Sequence, residues 1–469
     1  MSNAAIPAAI ELAGAAQSSA NAAALATPAP FHACVQNFLD QADTPRAYLE
    51  RCIARIEKHE PAIRAFVHLD LDTARRLADE AGERYRQRRP LSPVDGMPVG
   101  VKDIIDTRDM PTQMNSPLFA GFRPRRDAAC VMALKQAGAI VLGKTVTTEF
   151  ACGRSGPTRN PHDSLRTPGG SSSGSAAAVA AGMLPAALGT QTQASIIRPA
   201  SYCGIVGYKP SIGTLCYDGI GRLAPTLDQL GVLAGDLGDA QAVAAAIAAV
   251  GPDYGGPVLR LGAQAGNGVP LRRLARLDTE GWAELDSAAR EIFEQTMAGL
   301  VAAGVDMIDR SDPSIARIEA LLAQISASAL HIFAWEAQWP LRTYLDCGAA
   351  LVGERVQELV QLASEMRADD YADAVARRAA LRAEVAALAG TVDAFVTASS
   401  SGAAPLGLDN TGSRTFSVPW TLVGGPALSL PVQQIGGLPF GLQLMGLPGR
   451  DSELFGFAQW IMTQWRGTQ

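Results

Sequence analysis

The chain has 469 residues, 48% of them hydrophobic and 18% charged, with a net charge of −6. This balance excludes a disordered or collagen-like chain and gives no general attraction for nucleic-acid phosphates, so no nucleic-acid partner is expected. No apolar run reaches the roughly 18 residues a membrane-crossing helix needs, so no membrane partner is expected either. The seven cysteines (Cys34, Cys52, Cys130, Cys152, Cys203, Cys216 and Cys347) show neither CxxC nor Cys/His metal spacing. Their odd number argues against a disulfide framework and for a reducing, cytoplasmic compartment.

Residues 1–30 are rich in Ala and Ser with one charge, Glu11, and read as a flexible tail that lacks the Lys/Arg start of a secretory signal. The apolar spacing over 61–86 predicts a helix, and the basic run Arg84–Arg89 before Pro90 reads as its solvated end. Pro98–Val101 then gives a short strand that delivers Lys102 at its end. Val131–Ala137 reads as a helix stopped by Gly138 and followed by a buried strand, Ala139–Leu142. The same logic recurs where Ile292, Phe293, Met297, Leu300 and Val301 mark a helical face before the strand Val305–Ile308. It recurs again where Leu381, Val385 and Leu388 precede Gly390 and the strand Val392–Val396. Residues 251–390 are richer in helix and carry no Pro/Gly/Ser linker, so one α/β domain over 31–469 is expected.

Three motifs compete for the chemistry. Gly170-Ser171-Ser172-Ser173-Gly174 matches the G-x-S-x-G nucleophile elbow and would make Ser172 the nucleophile, but the polar stretch Asn160–Pro168 stands where that elbow needs an apolar strand. The downstream histidine, His331, lies in a helical pattern and reads as structural. Gly138-Ala-Ile-Val-Leu-Gly143-Lys144-Thr145 satisfies the Walker A spacing, yet Ala-Ile-Val-Leu is strand core that would turn its N–H groups into a sheet. The third pattern joins Lys102 to the loop Gly169–Ser175 and to Gly189-Thr-Gln191-Thr-Gln193-Ala-Ser195-Ile-Ile-Arg198-Pro-Ala200, with Ser195 lying 24 residues after Ser171.

That third set resembles the amidase-signature family, most strongly from Val94 to Ala240 and again near Ala404-Pro405 and Gly437–Gln443. The resemblance implies a single large domain with a mixed β-sheet flanked by helices, and a triad in which Ser195 is the nucleophile and Ser171 and Lys102 relay its proton. It also implies a cis peptide bond before Ser171. An amide carbonyl is a poor electrophile, so Ser195 must lose its proton as it attacks. A lysine can take that proton only if burial lowers its pKa, so Lys102 is expected to be buried and neutral. Asp103, Thr190, Ser172 and Ser173 are read as polar supports of the loops.

The family resemblance places the oxyanion hole on the backbone N–H groups of Thr192, Gln193, Ala194 and Ser195. Here the chain departs from the family, which has Gly-Gly for Gln193-Ala194 and commonly Asp for Gln191. If either glycine position needs φ > 0, the replacement is strained and the hole distorted. The segments Lys102–Thr107, Met110–Met114 and Ser195–Pro199 look most like malonamidase-like members, whose arginine three residues after the nucleophile binds a substrate carboxylate. Arg198 holds that position, with pairing to a structural acid as the alternative.

The expected activity is hydrolysis of a small carboxamide, carboxylate-bearing if Arg198 binds substrate, through an acyl-serine, with release of ammonia or an amine. The alternative is an amidotransferase-type or catalytically weakened subunit that works with a partner chain. No metal or organic cofactor is implied; the expected partner is a small-molecule amide, and a homodimer is the assembly considered.

Overall fold

Eleven short strands, most of them buried, join in one sheet. The structure, a computed structural model, describes residues 29–253, 255–261, 268–323 and 325–466. In chain order its main elements are α1 (Phe31–Leu39), α2 (Pro45–Ile63), β1 (Phe66–Leu69), α3 (Leu71–Arg86), β2 (Pro98–Lys102), α4 (Ala129–Gln136), β3 (Ile140–Thr145), α5 (Ser173–Ala180), β4 (Ala186–Gln191), α6 (Ile197–Cys203), β5 (Val206–Lys209), β6 (Gln229–Ala234) and α7 (Leu237–Ala248). There follow β7 (Arg273–Arg276), α8 (Ser287–Ala302), β8 (Asp306–Ile308), α9 (Pro313–Leu322), α10 (Ile325–Gly348), α11 (Glu354–Glu365), α12 (Ala368–Ala387), β9 (Ala394–Ala398), α13 (Val418–Val423), β10 (Ala427–Ile435), β11 (Leu438–Met445) and α14 (Asp451–Arg466).

The sheet order is β1-β3-β2-β4-β6-β5-β10-β11-β9-β7-β8. It has two parallel parts, β3-β2-β4 and β9-β7-β8, joined by an antiparallel centre, so the expected mixed α/β domain is what forms. In the first parallel part every residue of β2, β3 and β4 is buried, as a sheet covered on both faces requires. No single helix among the described residues is long and apolar enough to cross a membrane.

The helix expected over 61–86 is in fact two helices with a strand between them. Chain direction changes at Arg64, whose φ is 57°, and Phe66–Leu69 then pairs antiparallel with β3. Four residues are too few for a two-residue period to compete with the helical spacing on either side. Asp70 starts α3 by accepting a hydrogen bond from the Thr73 N–H at 3.2 Å. Nor is the basic run simply a solvated end, because Arg84 Nε donates to the buried Asp95 at 2.8 Å. Residues 1–28 of the expected tail lie outside the described residues, while the carbonyl of Ala29 accepts from Tyr48 Oη at 3.0 Å.

The Walker A stretch forms strand β3, as its apolar core predicted, and Lys144 lies buried against Asp103 at 3.0 Å. A phosphate would find neither a free amide nor a free ammonium there.

Candidate active site

Strands β2 and β4 run parallel and side by side, so their C-terminal ends open on the same edge of the sheet, where α/β proteins gather functional groups. Lys102 is the last residue of β2, and Thr190 and Gln191 close β4. The serine-rich loop reaches the same edge because α5 packs tightly on its neighbours. A Cβ at Gly174 would lie 2.2 Å from the Ala65 carbonyl, and the Gly174 N–H donates to Val146 at 2.9 Å. The Gly170-Ser171 peptide bond is cis, as the resemblance implied.

Lys102 has no solvent exposure, and its Nζ lies 2.7 Å from Ser171 Oγ and 2.8 Å from Thr190 Oγ1. Burial pulls the amine well below the ordinary lysine value, against the smaller opposing pull of Asp228 and Cys152. Two other lysines are fully buried, and their partners differ. Lys144 faces Asp103, and Lys209 is held by two carbonyls and Gln229. Lys102 alone of the three contacts only hydroxyls, the partners of a group that exchanges protons rather than one that balances a charge.

A cavity of about 490 Å³ opens in front of these groups. Ser171 and Ser195 both line it, whereas Lys102 lies behind Ser171 with no surface of its own. A proton leaving a group in the cavity therefore has Ser171 as its way to the amine. Ser195 is partly exposed, and its hydroxyl makes no hydrogen bond among the described residues. Catalytic contacts of this kind are often loose before substrate arrives. Ser172, the elbow candidate, is fully buried and pinned to the backbone of Thr190 at 3.3 Å, away from the cavity wall. The histidines take no part: His331 lies in α10 and His162 contacts the Cys203 carbonyl at 3.0 Å.

The loop Thr192–Ser195 lines the same cavity. None of its N–H groups meets an acceptor among the described residues, which leaves them free for an oxyanion. Gln193 and Ala194 are not among the residues with positive φ, so the feared strain does not arise. Gln191, at the position where Asp is common, accepts the Ile196 and Ile197 N–H groups on Oε1 at 2.9 and 3.1 Å and donates to Thr421 at 3.0 Å. Thr421 in turn donates to the Gln193 carbonyl at 3.0 Å, and Thr192 Oγ1 donates to the buried Asp228 at 2.6 Å. The loop is thus tied down at both ends. Burial pushes Asp228 up to about 6, while its hydrogen bonds from Thr192, Leu223 and Ala224 favour the charged form.

Arg198 borders the cavity, as expected, but both terminal nitrogens are already engaged. Nη1 donates to the carbonyls of Gly412 and Ser413 at 2.6 and 3.3 Å, and Nη2 to that of Gly170 at 2.6 Å; only Nε lacks a partner. Carbonyls, rather than the structural acid considered from sequence, are what it holds. Sequence reasoning missed Asp228, Thr421, Arg355 and Arg414, the last in a Gly/Asn/Ser-rich loop whose lone arginine was its only signal.

The model of the Amidase family matches residues 47–455. The A subunit of glutamyl-tRNA(Gln) amidotransferase from Chloroflexus aggregans is 34% identical over 458 residues, covering 89% of this chain and 92% of the relative. Among solved structures, one described as an amidase superposes with a TM-score of 0.80 at 28% identity, covering 92% of this chain and 98% of its own. The A subunit of glutamyl-tRNA(Gln) amidotransferase from Thermotoga maritima superposes at 0.73 with 26% identity, covering 91% and 93%. The chain belongs to the amidase family. It is an enzyme acting on amide C–N bonds.

Proposed function

We propose that this chain cleaves a carboxamide through an acyl ester on Ser195, with Ser171 carrying the proton to Lys102. The supporting observation is the fully buried Lys102, whose pKa burial pulls down, in contact with Ser171 behind a cavity wall that also carries Ser195. As Ser195 Oγ bonds to the amide carbon, its proton passes to Ser171 while the Ser171 proton passes to the lone pair of Lys102 Nζ. The N–H groups of Thr192, Gln193, Ala194 and Ser195 receive the oxyanion. When the tetrahedral centre collapses, the C–N bond breaks and the proton returns through Ser171 to the departing nitrogen. Water then attacks the ester and gives its proton through Ser171 to Lys102; as the C–O bond to Ser195 breaks, the proton returns through Ser171 to Ser195 Oγ, releasing the acid and restoring the enzyme.

Two settings use this chemistry. In one, the chain alone hydrolyses a small carboxamide; in the other it is an amidotransferase-type subunit whose ammonia goes to a partner chain. The second has the better support, because relatives spanning nearly the whole chain bear the name of an amidotransferase subunit. Ammonia release from a panel of amides, by the purified chain alone and with candidate partner chains, separates the two. Release only with a partner supports the subunit; full release alone supports the hydrolase; none in either case, with the fold intact, overturns the amide-cleaving reading.

In this account Arg198 positions the loop of Ser171 through the Gly170 carbonyl. Arg198→Ala leaves three carbonyls without their donor and is expected to cost about 2–4 kcal/mol of stability. It should also slow neutral and acidic amides alike. Denaturant midpoints and kcat/KM on both amide types check this; a loss confined to acidic amides would restore Arg198 to substrate recognition.

A further inference from the structure

The cavity holds an imbalance of charge that the proton relay does not use. Three arginines line it, Arg198, Arg355 and Arg414, against one acid, the exposed Asp409. None of the three is in an ion pair among the described residues, whereas Arg84, Arg276 and Arg310 elsewhere each have an acidic partner. With both terminal nitrogens of Arg198 engaged by carbonyls, only its Nε is left, and the other spare donors belong to Arg355 and Arg414. Arg414 spends Nη1 on Gln193 Oε1 at 2.8 Å, and Arg355 spends Nε on the Cys152 carbonyl at 3.0 Å. The remaining guanidinium nitrogens of both meet no acceptor among the described residues.

This arrangement costs the free protein something. Arg414 is partly buried, and burial together with the charge of Arg355 pulls its pKa down. Arg355 is the second residue of α11, at the helix end where the dipole disfavours a cation. Neither cation is placed for stability. Unpaired cations that line one cavity and feel each other's charge are relieved by an anion, and a planar guanidinium matches a carboxylate best. Arg414 is also held to Gln193, two residues before Ser195, so an anion bound there sits beside the oxyanion loop.

We infer that Arg414 and Arg355 form a carboxylate-recognising wall, and that the amide this site prefers carries a carboxylate away from the scissile bond. The inference rests on the amide-cleaving reading above and names the substrate class for the same cavity. It also gives Gln193 a purpose that the glycine usual in the family cannot serve, that of anchoring the Arg414 guanidinium.

The test uses two probes of the same skeleton, succinamate and butyramide, in which a methyl replaces the carboxylate. Their binding to the full-length Ser195→Ala protein is measured by calorimetry, and their kcat/KM ratio with the unaltered enzyme. Succinamate should bind at least about tenfold more tightly, the range expected for hydrogen bonds to a charged group. Arg414→Gln in the Ser195→Ala background should remove most of that preference and Arg414→Lys should keep part of it. Arg355→Gln, at an exposed position that folding tolerates, should reduce the preference severalfold. Equal binding of the two probes, binding of neither, or a preference untouched by both Arg414→Gln and Arg355→Gln overturns the inference. Selective binding of succinamate with no turnover of either probe, by the chain alone or with candidate partner chains, would instead leave the wall standing and count against the amide-cleaving reading.

Discussion

Exchange of Lys102 for methionine is expected to lower kcat/KM by roughly 10²–10⁴, the usual contribution of a positioned general base. Among the described residues the unexposed amine hydrogen-bonds only Ser171 and Thr190, which makes it the group placed to take the proton Ser171 passes on. Lys102→Arg should be as inactive, because a guanidinium does not give up its proton near neutral pH. The pH profile carries the same signature. Burial holds the folded-state pKa of Lys102 well below its ordinary value of 10.5, so kcat/KM should rise with pH through the lowered value and then level off. Stability follows by linkage: between the lowered and ordinary values the unfolded chain binds a proton that the folded chain does not. This group's contribution therefore grows less favourable as pH falls through that window, and Lys102→Met should flatten the dependence. Activity of Lys102→Met within tenfold of the unaltered enzyme would contradict the relay.

Ser195→Ala should produce the larger loss, roughly 10⁴-fold or more in kcat, since removal of a nucleophile leaves only binding and oxyanion stabilisation. The double variant Lys102→Met with Ser195→Ala should be no worse than Ser195→Ala alone. Groups that act as one unit are non-additive, and a base has nothing to activate once the nucleophile is gone. Independent, multiplying losses measured by single-turnover kinetics would show that Lys102 serves something other than Ser195.

Much of this site could be read from the sequence because its key groups sit at element ends marked by local pattern. The apolar run Pro98–Val101 places Lys102 at a strand end, and the small residues after Ser173 predict the helix that brings the serine loop to it. The alternation of helix and strand also gave the fold class. What was missed depends on contacts between distant segments. Strand β1 exists because β3 offers it an edge, not because four residues have a strong period of their own. Arg198 has an open fork when read from sequence, but the chain folds the carbonyls of Gly412 and Ser413 onto it from more than 200 positions away. Arg355 and Arg414 become part of the site only once α11 and the loop before α13 reach the cavity, and Asp228 only through the pairing of β6 with β4. Gln193-Ala194 raised an expectation of strain that the backbone answers: the loop bends without positive φ, so glycine is dispensable there.

The central claim is that the Ser195 hydroxyl becomes nucleophilic because a buried, uncharged amine draws its proton through Ser171. Labelling the intact chain with a fluorophosphonate and locating the adduct by mass spectrometry tests this most directly. The account predicts label on Ser195, fading as pH drops through the lowered Lys102 value and absent from Lys102→Met. Label on Ser172, or label on Ser195 that persists undiminished in Lys102→Met, would contradict it.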